Sequence, residues 1–430
     1  MKSVGSDPGW KLRRLGDLHA GHSGTLDPQN YPDEVFDYYS IPAYQAGGRP
    51  AQEAGRNILS NKLELSSPCL LFGKLNPRVE KVWNVTELNE RRAIASTEWL
   101  PVVPTDELDQ SFGYFLLRSG WVMLTARSDV SGSTPSRQRV KPASFYDLRV
   151  PLPPIVEQRA IASVLERLCA LIEAQVVCEQ SAIALKRATN LSVFARGLRG
   201  ETQKSTEVGP VPYSWEIASL GELGRIGNGS TPKRGLQEYW ADGHFPWLTS
   251  AKVYDREITD ADQFVTDTAL RECHLPIVEP GAVLIAITGQ GKTLGHCAVL
   301  RTRSTLNQHL AYLATDLDRA DPSFVRGYLE TQYDKLRQVG AGGGSTKGAL
   351  TCAYLRSVLI PLPRTLEEQR EVAAVLDTLD RRIASHRRKR AVLDRLFNAL
   401  LDKLMVGGIR VADLHIDALV AETPVAGASA

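Results

Sequence analysis

The segment Gly289-Gln290-Gly291-Lys292-Thr293 sets a lysine and a hydroxyl behind glycines at the end of an apolar run. Phosphate-binding loops use that arrangement to wrap a nucleotide, but they need a further glycine where this chain has Ala286, so nucleotide binding is not expected. Cys273-His274 and His296-Cys297 are zinc ligands by type. Structural zinc pairs are usually spaced by two or more residues, and adjacent residues on a strand point to opposite faces, so these read as ordinary core and surface residues. Asn76-Pro77 continues as Arg78-Val79, without the aromatic that grips a flipped base in amino-methyltransferases, and reads as a turn. No Glu-x-Lys of the kind found in metal-dependent nuclease cores occurs, and no His-Glu-x-x-His. The expectation is a chain with no catalytic residues, no metal site and no cofactor of its own.

Composition frames what such a chain can be. Its 430 residues exceed one typical domain, and 43% hydrophobic and 23% charged residues are ordinary for globular cores. The net charge of +2 means that a nucleic-acid surface must come from local clustering. Six scattered cysteines without a CxxC pair read as reduced thiols. The first residues carry no apolar leader, and no run approaches a membrane span, so a cytoplasmic protein without membrane contact is expected.

The elements that would position any site come in two copies. Pro151-Leu152-Pro153 followed by Glu157-Gln158-Arg159 recurs as Pro361-Leu362-Pro363 followed by Glu368-Gln369-Arg370. Upstream, Trp10-Lys11-Leu12 with Leu15-Gly16-Asp17-Leu18 matches Trp215-Glu216-Ile217 with Leu220-Gly221-Glu222-Leu223. Between these anchors the copies diverge; Cys69 to Lys74 corresponds only loosely to Ala282 to Ile287. One scaffold carrying two different surfaces is the natural reading of such a repeat. Within each copy, short β-branched and aromatic runs broken by Gly, Pro, Asn and Asp suit a mixed α/β domain.

A long helical pattern ends each copy. Val372, Leu376, Leu379, Ile383, His386, Arg390, Leu393, Phe397, Leu400 and Leu404 alternate spacings of four and three, which is a heptad seam. Shifted by 211 residues, the first copy gives Ile161, Leu165, Leu168, Ile172, Gln175, Glu179, Ala182, Lys186, Thr189 and Val193. A helix of about 40 residues is about 60 Å long, and alone it would leave its apolar stripe wet. The two should therefore pack as an antiparallel coiled coil, with Glu179 near His386 and Gln175 near Arg390 as polar layers that fix register. The run Arg387 to Arg390 lies inside the heptad and reads mainly as a solvated helix face.

These anchors resemble the specificity subunits of type I restriction-modification enzymes. The likeness is carried by both Pro-Leu-Pro…Glu-Gln starts and by Val193-Phe194-Ala195-Arg196-Gly197-Leu198-Arg199-Gly200. The joining segment Val208 to Ile217, Gly229-Ser230-Thr231-Pro232 and Pro246-Trp247-Leu248 carry it further, so that it spans roughly residues 8 to 408. The first copy departs from the Gly-x-Thr-Pro pattern, with Gly21-His22-Ser23-Gly24-Thr25 instead.

The resemblance implies an α+β chain: two structurally similar α/β target-recognition domains, separated by two long helices that form the antiparallel coiled coil, in a pseudo-two-fold internal repeat. The expected boundaries are 1–155 for the first domain, 156–200 for its spacer helix, 201–365 for the second domain, 366–408 for the second spacer helix and 409–430 for a disordered tail. It also implies double-stranded DNA with a bipartite site as ligand, two methyltransferase subunits docked on the helices, and restriction subunits joining through that core. S-adenosylmethionine, ATP and Mg would be used by those partners and not bound by this chain. Two major-groove readers on one face of a duplex must sit about one helical turn apart, or a multiple of it, and stiff helices suit that task.

Basic residues on glycine-rich loops are the expected DNA contacts, since backbone there can approach phosphate and Arg or Lys can reach base edges. In the second copy these are Thr231, Lys233 and Arg234, then Lys252 with Tyr254, Lys292, and Thr346 with Lys347. In the first they are Lys74, Arg78, Arg137, Arg139 and Lys141. The loops around 229–235 and 342–347 are the stronger sets. Two other readings stay open: a structural adaptor that bridges proteins through the helix pair without binding DNA, and an enzyme with an unrecognised site.

Overall fold

A computed structural model describes residues 9–21, 24–289, 292–342 and 349–414. The chain divides into two units, residues 1–176 with 388–430, and residues 177–387. It is a mixed α and β chain, and two helices dominate it, Ile155–Arg196 and Leu366–Met405. Each follows a short strand and a proline that ends it. The second is started by Thr365, whose hydroxyl accepts from the Glu368 amide at 3.3 Å. Each ends at a glycine that takes the left-handed conformation, Gly197 (φ +67°) and Gly407 (φ +70°).

The first unit has a five-stranded sheet, in the order Thr25–Leu26, Lys62–Leu65, Ala93–Ala95, Val35–Tyr39, Ala51–Ala54. A three-stranded sheet is centred on Cys69–Gly73, between Val82–Val85 and Trp99–Val102. Helix Gln110–Arg118, capped by the Asp109 carboxylate, covers the latter. The helical segments close the core: Ile161, Leu165 and Leu168 share one buried cluster with Phe397, Leu400 and Leu404, and Ile172 and Leu393 pack on its edge.

The second unit has a five-stranded sheet with Leu310–Thr315 and Val283–Ala286 at its middle, flanked by Gly224–Asn228 and by Cys297–Leu300 and Glu257–Ile258. A three-stranded sheet runs Gln263–Val265, Phe245–Leu248, Thr305–Leu306. Helix Pro322–Thr331 is capped by Asp321. Val193, Val372 and Leu376 are buried in this unit's core, Ile383 is buried, and Leu379 is half-buried. Here the helical segments run antiparallel, since ion pairs join Glu179 to Arg387 (2.7 Å), Lys186 to Asp380 (2.7 Å) and Arg199 to Glu371 (3.0 Å). Glu179 thus meets the residue after His386, and both Gln175 and His386 are half-buried. Arg390 is exposed and reaches Asp394 at 3.7 Å.

The recurring residues make the same contacts in both units. The Trp10 indole donates to Glu157 (3.2 Å) and the Trp215 indole to Glu368 (3.0 Å). The Gln158 amide nitrogen donates to the Pro153 and Glu107 carbonyls while its oxygen accepts from the Asp109 amide. Gln369 does the same with Pro363, Arg319 and Asp321. Each glutamine, about 1% exposed, therefore ties a strand end, a helix start and a helix cap together. Strands Lys11–Arg14 and Glu216–Ser219 pair antiparallel with Arg149–Leu152 and Leu359–Leu362. A Cβ on Gly16 or Gly221 would press on the segment before the second strand, at 3.0 Å from the Tyr146 carbonyl oxygen and 3.2 Å from that of Arg356, so the turn after the first strand is tight against it in both units.

Nine residues beyond the capping aspartates, the two units differ. In the first, the Arg118 guanidinium stands over the Phe397 and Tyr114 rings and pairs with Glu80 at 2.6 Å. In the second, Glu330 and Asp380 both hold Lys186, at 2.8 and 2.7 Å. Arg326, 2% exposed, pairs with Glu330 and Asp377. Arg256 Nη2 lies 2.7 Å from Asp377 and 2.7 Å from Asp380 Oδ2. The second contact lies off the hydrogen-bond direction and is Coulombic only. Three cations and three carboxylates thus stand where the first unit has a single Arg–Glu pair over aromatic rings.

Candidate nucleic-acid interface

The Gly229-Ser230-Thr231-Pro232 loop leaves the edge strand Gly224–Asn228 and is drawn in by backbone bonds, Gly229 N to Leu310 O (3.2 Å) and Ser230 N to Leu306 O (3.0 Å). A Cβ on Gly229 would sit 1.8 Å from the Leu306 carbonyl oxygen, so only glycine fits. The Trp247 indole donates to the Ser230 carbonyl at 3.1 Å. The Arg234 guanidinium lies 4.0 Å from the Trp240 ring centre and 4.7 Å from that of Trp247, a stacked and preoriented cation. Lys233 beside it is exposed, and its carbonyl accepts from the Trp240 indole.

A polar chain runs from this loop to the next. The Thr231 hydroxyl bonds the Gln308 amide oxygen, the Gln308 amide nitrogen meets His309 Nε2 at 3.1 Å, and His309 Nδ1 meets the Thr288 hydroxyl. The amide nitrogen can only donate, so His309 Nε2 accepts and its Nδ1 carries the proton to Thr288. Gln308 and His309 are exposed between buried Asn307 and Leu310. The Thr288–Ala349 bridge and the bond from Leu350 N to Ile287 O (2.8 Å) bring the segment after residue 348 to the same place. Thr346 and Lys347 lie outside the described residues, as do Gln290, Gly291 and His22-Ser23.

Lys292 is exposed, and its carbonyl accepts from the Tyr333 hydroxyl at 2.6 Å. The Tyr254 hydroxyl shares a hydrogen bond with that of Thr293 at 2.9 Å. The Tyr254 ring packs on His296, which also meets Tyr333. Burial holds the His296 imidazole below its usual pKa and favours the neutral ring. Lys252 stands apart. Asp255 and Asp260 hold its ammonium at 3.0 and 2.7 Å, with Asp262 at 3.7 Å, and the hydrogen bonds to Asp260 and Asp255 raise its pKa. Its charge is already answered by carboxylates.

In the first unit, Lys74 N donates to Glu98 O, Val140 N to Lys74 O (both 3.0 Å) and Asn76 N to Gln138 O (2.8 Å). The segments around 74–78 and 137–141 therefore lie side by side. Asn76, at φ +48°, sits in a turn braced by the Lys81 ammonium, which donates to the Asn76 and Val79 carbonyls. Arg78 and Arg137 are exposed. Arg139 pairs with Glu98 at 3.1 Å, and Lys141 with Asp129 at 2.5 Å.

Sequence reasoning missed the loops Ser96-Thr97-Glu98 and Asn307-Gln308-His309. They occupy matching places, for Lys74 N donates to the Glu98 carbonyl as Ile287 N does to that of His309, each at 3.0 Å. The only signal was a polar triplet between two apolar strand pieces. The zinc-like residues serve locally: the buried Cys297 thiol donates to the Arg326 carbonyl. Among the described residues no group of three His, Cys, Asp or Glu is placed to hold a metal ion, and no helix is long and apolar enough to cross a membrane.

Residues 212–395 match the family described as type I restriction modification DNA specificity domain. The chain is 28% identical, over 209 residues, to the type I restriction enzyme MjaIX specificity subunit of Methanocaldococcus jannaschii, covering 47% of each. It is 27% identical over 282 residues to that organism's putative MjaX specificity subunit, covering 64% of this chain and 63% of the relative. The chain thus spans about half to just under two thirds of the length of these curated relatives. A solved chain from work on complex assembly and conformational transition of the type I R-M system is similar in fold, with a TM-score of 0.64 at 23% identity, covering 94% of this chain and 99% of that one. The HsdS subunit of Thermoanaerobacter tengcongensis gives 0.50 at 24%, covering 94% and 98%.

Proposed function

We propose that the chain is a specificity subunit of a type I restriction-modification system, the family that residues 212–395 match, and that it gives such a complex its DNA address and performs no chemistry itself. The sequence-level domains, 1–155 and 201–365, each read one half of a bipartite site in double-stranded DNA. The helices, taken as 156–200 and 366–408, zip as an antiparallel coiled coil. They relate two copies of one scaffold by a pseudo-two-fold axis, set the distance between half-sites and dock two methyltransferase subunits. Restriction subunits join through that core. S-adenosylmethionine, ATP and Mg belong to those partners, and the assembly works in the cytoplasm.

The observation that carries this reading is the doubled frame with undoubled loops. Gln158 and Gln369 make matching sets of bonds, while the loops at matching places in the two units differ, Ser-Thr-Glu in one and Asn-Gln-His in the other. A reader of two different half-sites needs just that: common geometry and separate surface chemistry. The loop cations Lys233, Arg234 and Lys292 support phosphate or base contact in the second domain, and Arg78 and Arg137 in the first.

The test is to express the chain with a methyltransferase subunit of its own system in a host lacking both, and to map adenine methylation across the genome. A split motif, with two constant parts around a fixed gap, is expected. An adaptor that ignores DNA sequence gives no motif.

A further inference from the structure

We propose that Gln308 is a base-reading residue of the second unit and takes the major-groove edge of an adenine; this rests on the DNA-reading role proposed above. The observation is the polar chain Thr231–Gln308–His309–Thr288, which ties an exposed amide to two separate loops. A free glutamine on a loop tip loses rotamer freedom on binding, and that loss erodes discrimination. Here the cost is met before DNA arrives: the Thr231 hydroxyl bonds the amide oxygen, and His309 Nε2 takes one amide hydrogen.

The hydrogen-bond inventory makes the assignment specific. A primary amide has two N–H donors and two acceptor lone pairs. With one of each engaged, Gln308 keeps one donor and one lone pair. Adenine presents the complement in the major groove, an N7 acceptor beside an N6 donor, and glutamine matches it bidentately; guanine, with two adjacent acceptors, does not. The neighbours frame the base and do not compete for it. Asn307 is buried with its side-chain oxygen on the His309 amide, and Arg234 is held against the Trp240 and Trp247 rings. The matching place in the first unit carries Thr97, exposed, beside Glu98, so the two halves read different chemistry from one position.

The test uses the full chain with its methyltransferase subunit, in two variants, with genomic methylation and duplex-competition binding as readouts. For Gln308→Ala, one adenine position of one half-site becomes degenerate, with discrimination there falling about tenfold or more, while the other half-site is unchanged. Gln308→Glu replaces the donor by an acceptor, so the preference at that same position moves from adenine to cytosine, whose N4 donates. If the unaltered complex shows a split motif and neither variant changes it in competition binding, the inference is overturned and the DNA-reading role stands. A change in both half-sites also overturns it. If the unaltered complex shows no sequence preference, the DNA-reading role fails and takes this inference with it.

Discussion

Glu368 accepts the Trp215 indole hydrogen at 3.0 Å, and its neighbour Gln369 turns the other way into the core, where it ties Pro363, Arg319 and Asp321 together. One dipeptide thus docks a long helix on its unit by two routes of unequal weight. The buried glutamine leaves three backbone groups without partners if its amide is removed. Gln369→Leu, nearly the same in volume, is expected to destabilise by about 3 kcal/mol, since each unmade buried bond costs roughly 1–3. Glu368→Gln keeps an oxygen for the indole and should fall within about 0.5 kcal/mol of the unaltered chain. Urea unfolding of both variants checks the contrast.

Lys186 answers two carboxylates at a position where the other copy has Phe397. Lys186→Met leaves Glu330 and Asp380 short of a cation in a nearly closed layer and should cost about 3–5 kcal/mol. Adding Asp380→Asn should recover part of that loss, a coupling that a double-mutant cycle measures.

The same layer sets an acid limb. Burial disfavours the Glu330 carboxylate, but Arg326 and Lys186 outweigh it and hold its pKa below the usual value. A folded pKa below the unfolded one means stability that is present above about pH 4.3, the unfolded range, and is lost as pH falls through the depressed folded value. In Lys186→Met the depression shrinks, so acid unfolding should begin at higher pH. An unchanged acid midpoint in that variant contradicts the account of the layer.

Phosphate contacts can be separated from ordinary ion pairs by salt. In the assembled complex, Lys233→Met should lower the slope of log affinity against log salt by about one unit, because one phosphate contact is lost. Lys252→Met should leave the slope unchanged, because Asp255 and Asp260 already hold that ammonium. Equal changes in both contradict the assignment of the second unit's free cations.

How much of this was legible depended on the range of the forces involved. The heptad stripe was readable because burial of Ile161, Leu165, Val372 and Leu376 repeats along one helix and leaves a local period. The Glu-Gln-Arg starts were readable because each copy needs the same side chains to make the same bonds. Lys186 could be placed in the seam, but not paired, since Glu330 comes from a helix whose position only the folded sheet determines. Lys252 looked like a free loop cation for the same reason; Asp260 and Asp262 reach it across a turn that no spacing rule predicts. Gln308 and His309 were passed over because a polar triplet between strands has no period. Their meaning lies in Thr231 and Thr288, which other loops bring to them.

The most direct measurement exchanges residues 208–355 for the same region of a relative with a different specificity, within the full chain and its methyltransferase complex, and maps the methylated motif. Replacement of one constant part of the motif, with the other part and the gap between them kept, is what independent readers on a fixed helical spacer require. Both parts unchanged, or both altered together, would contradict it.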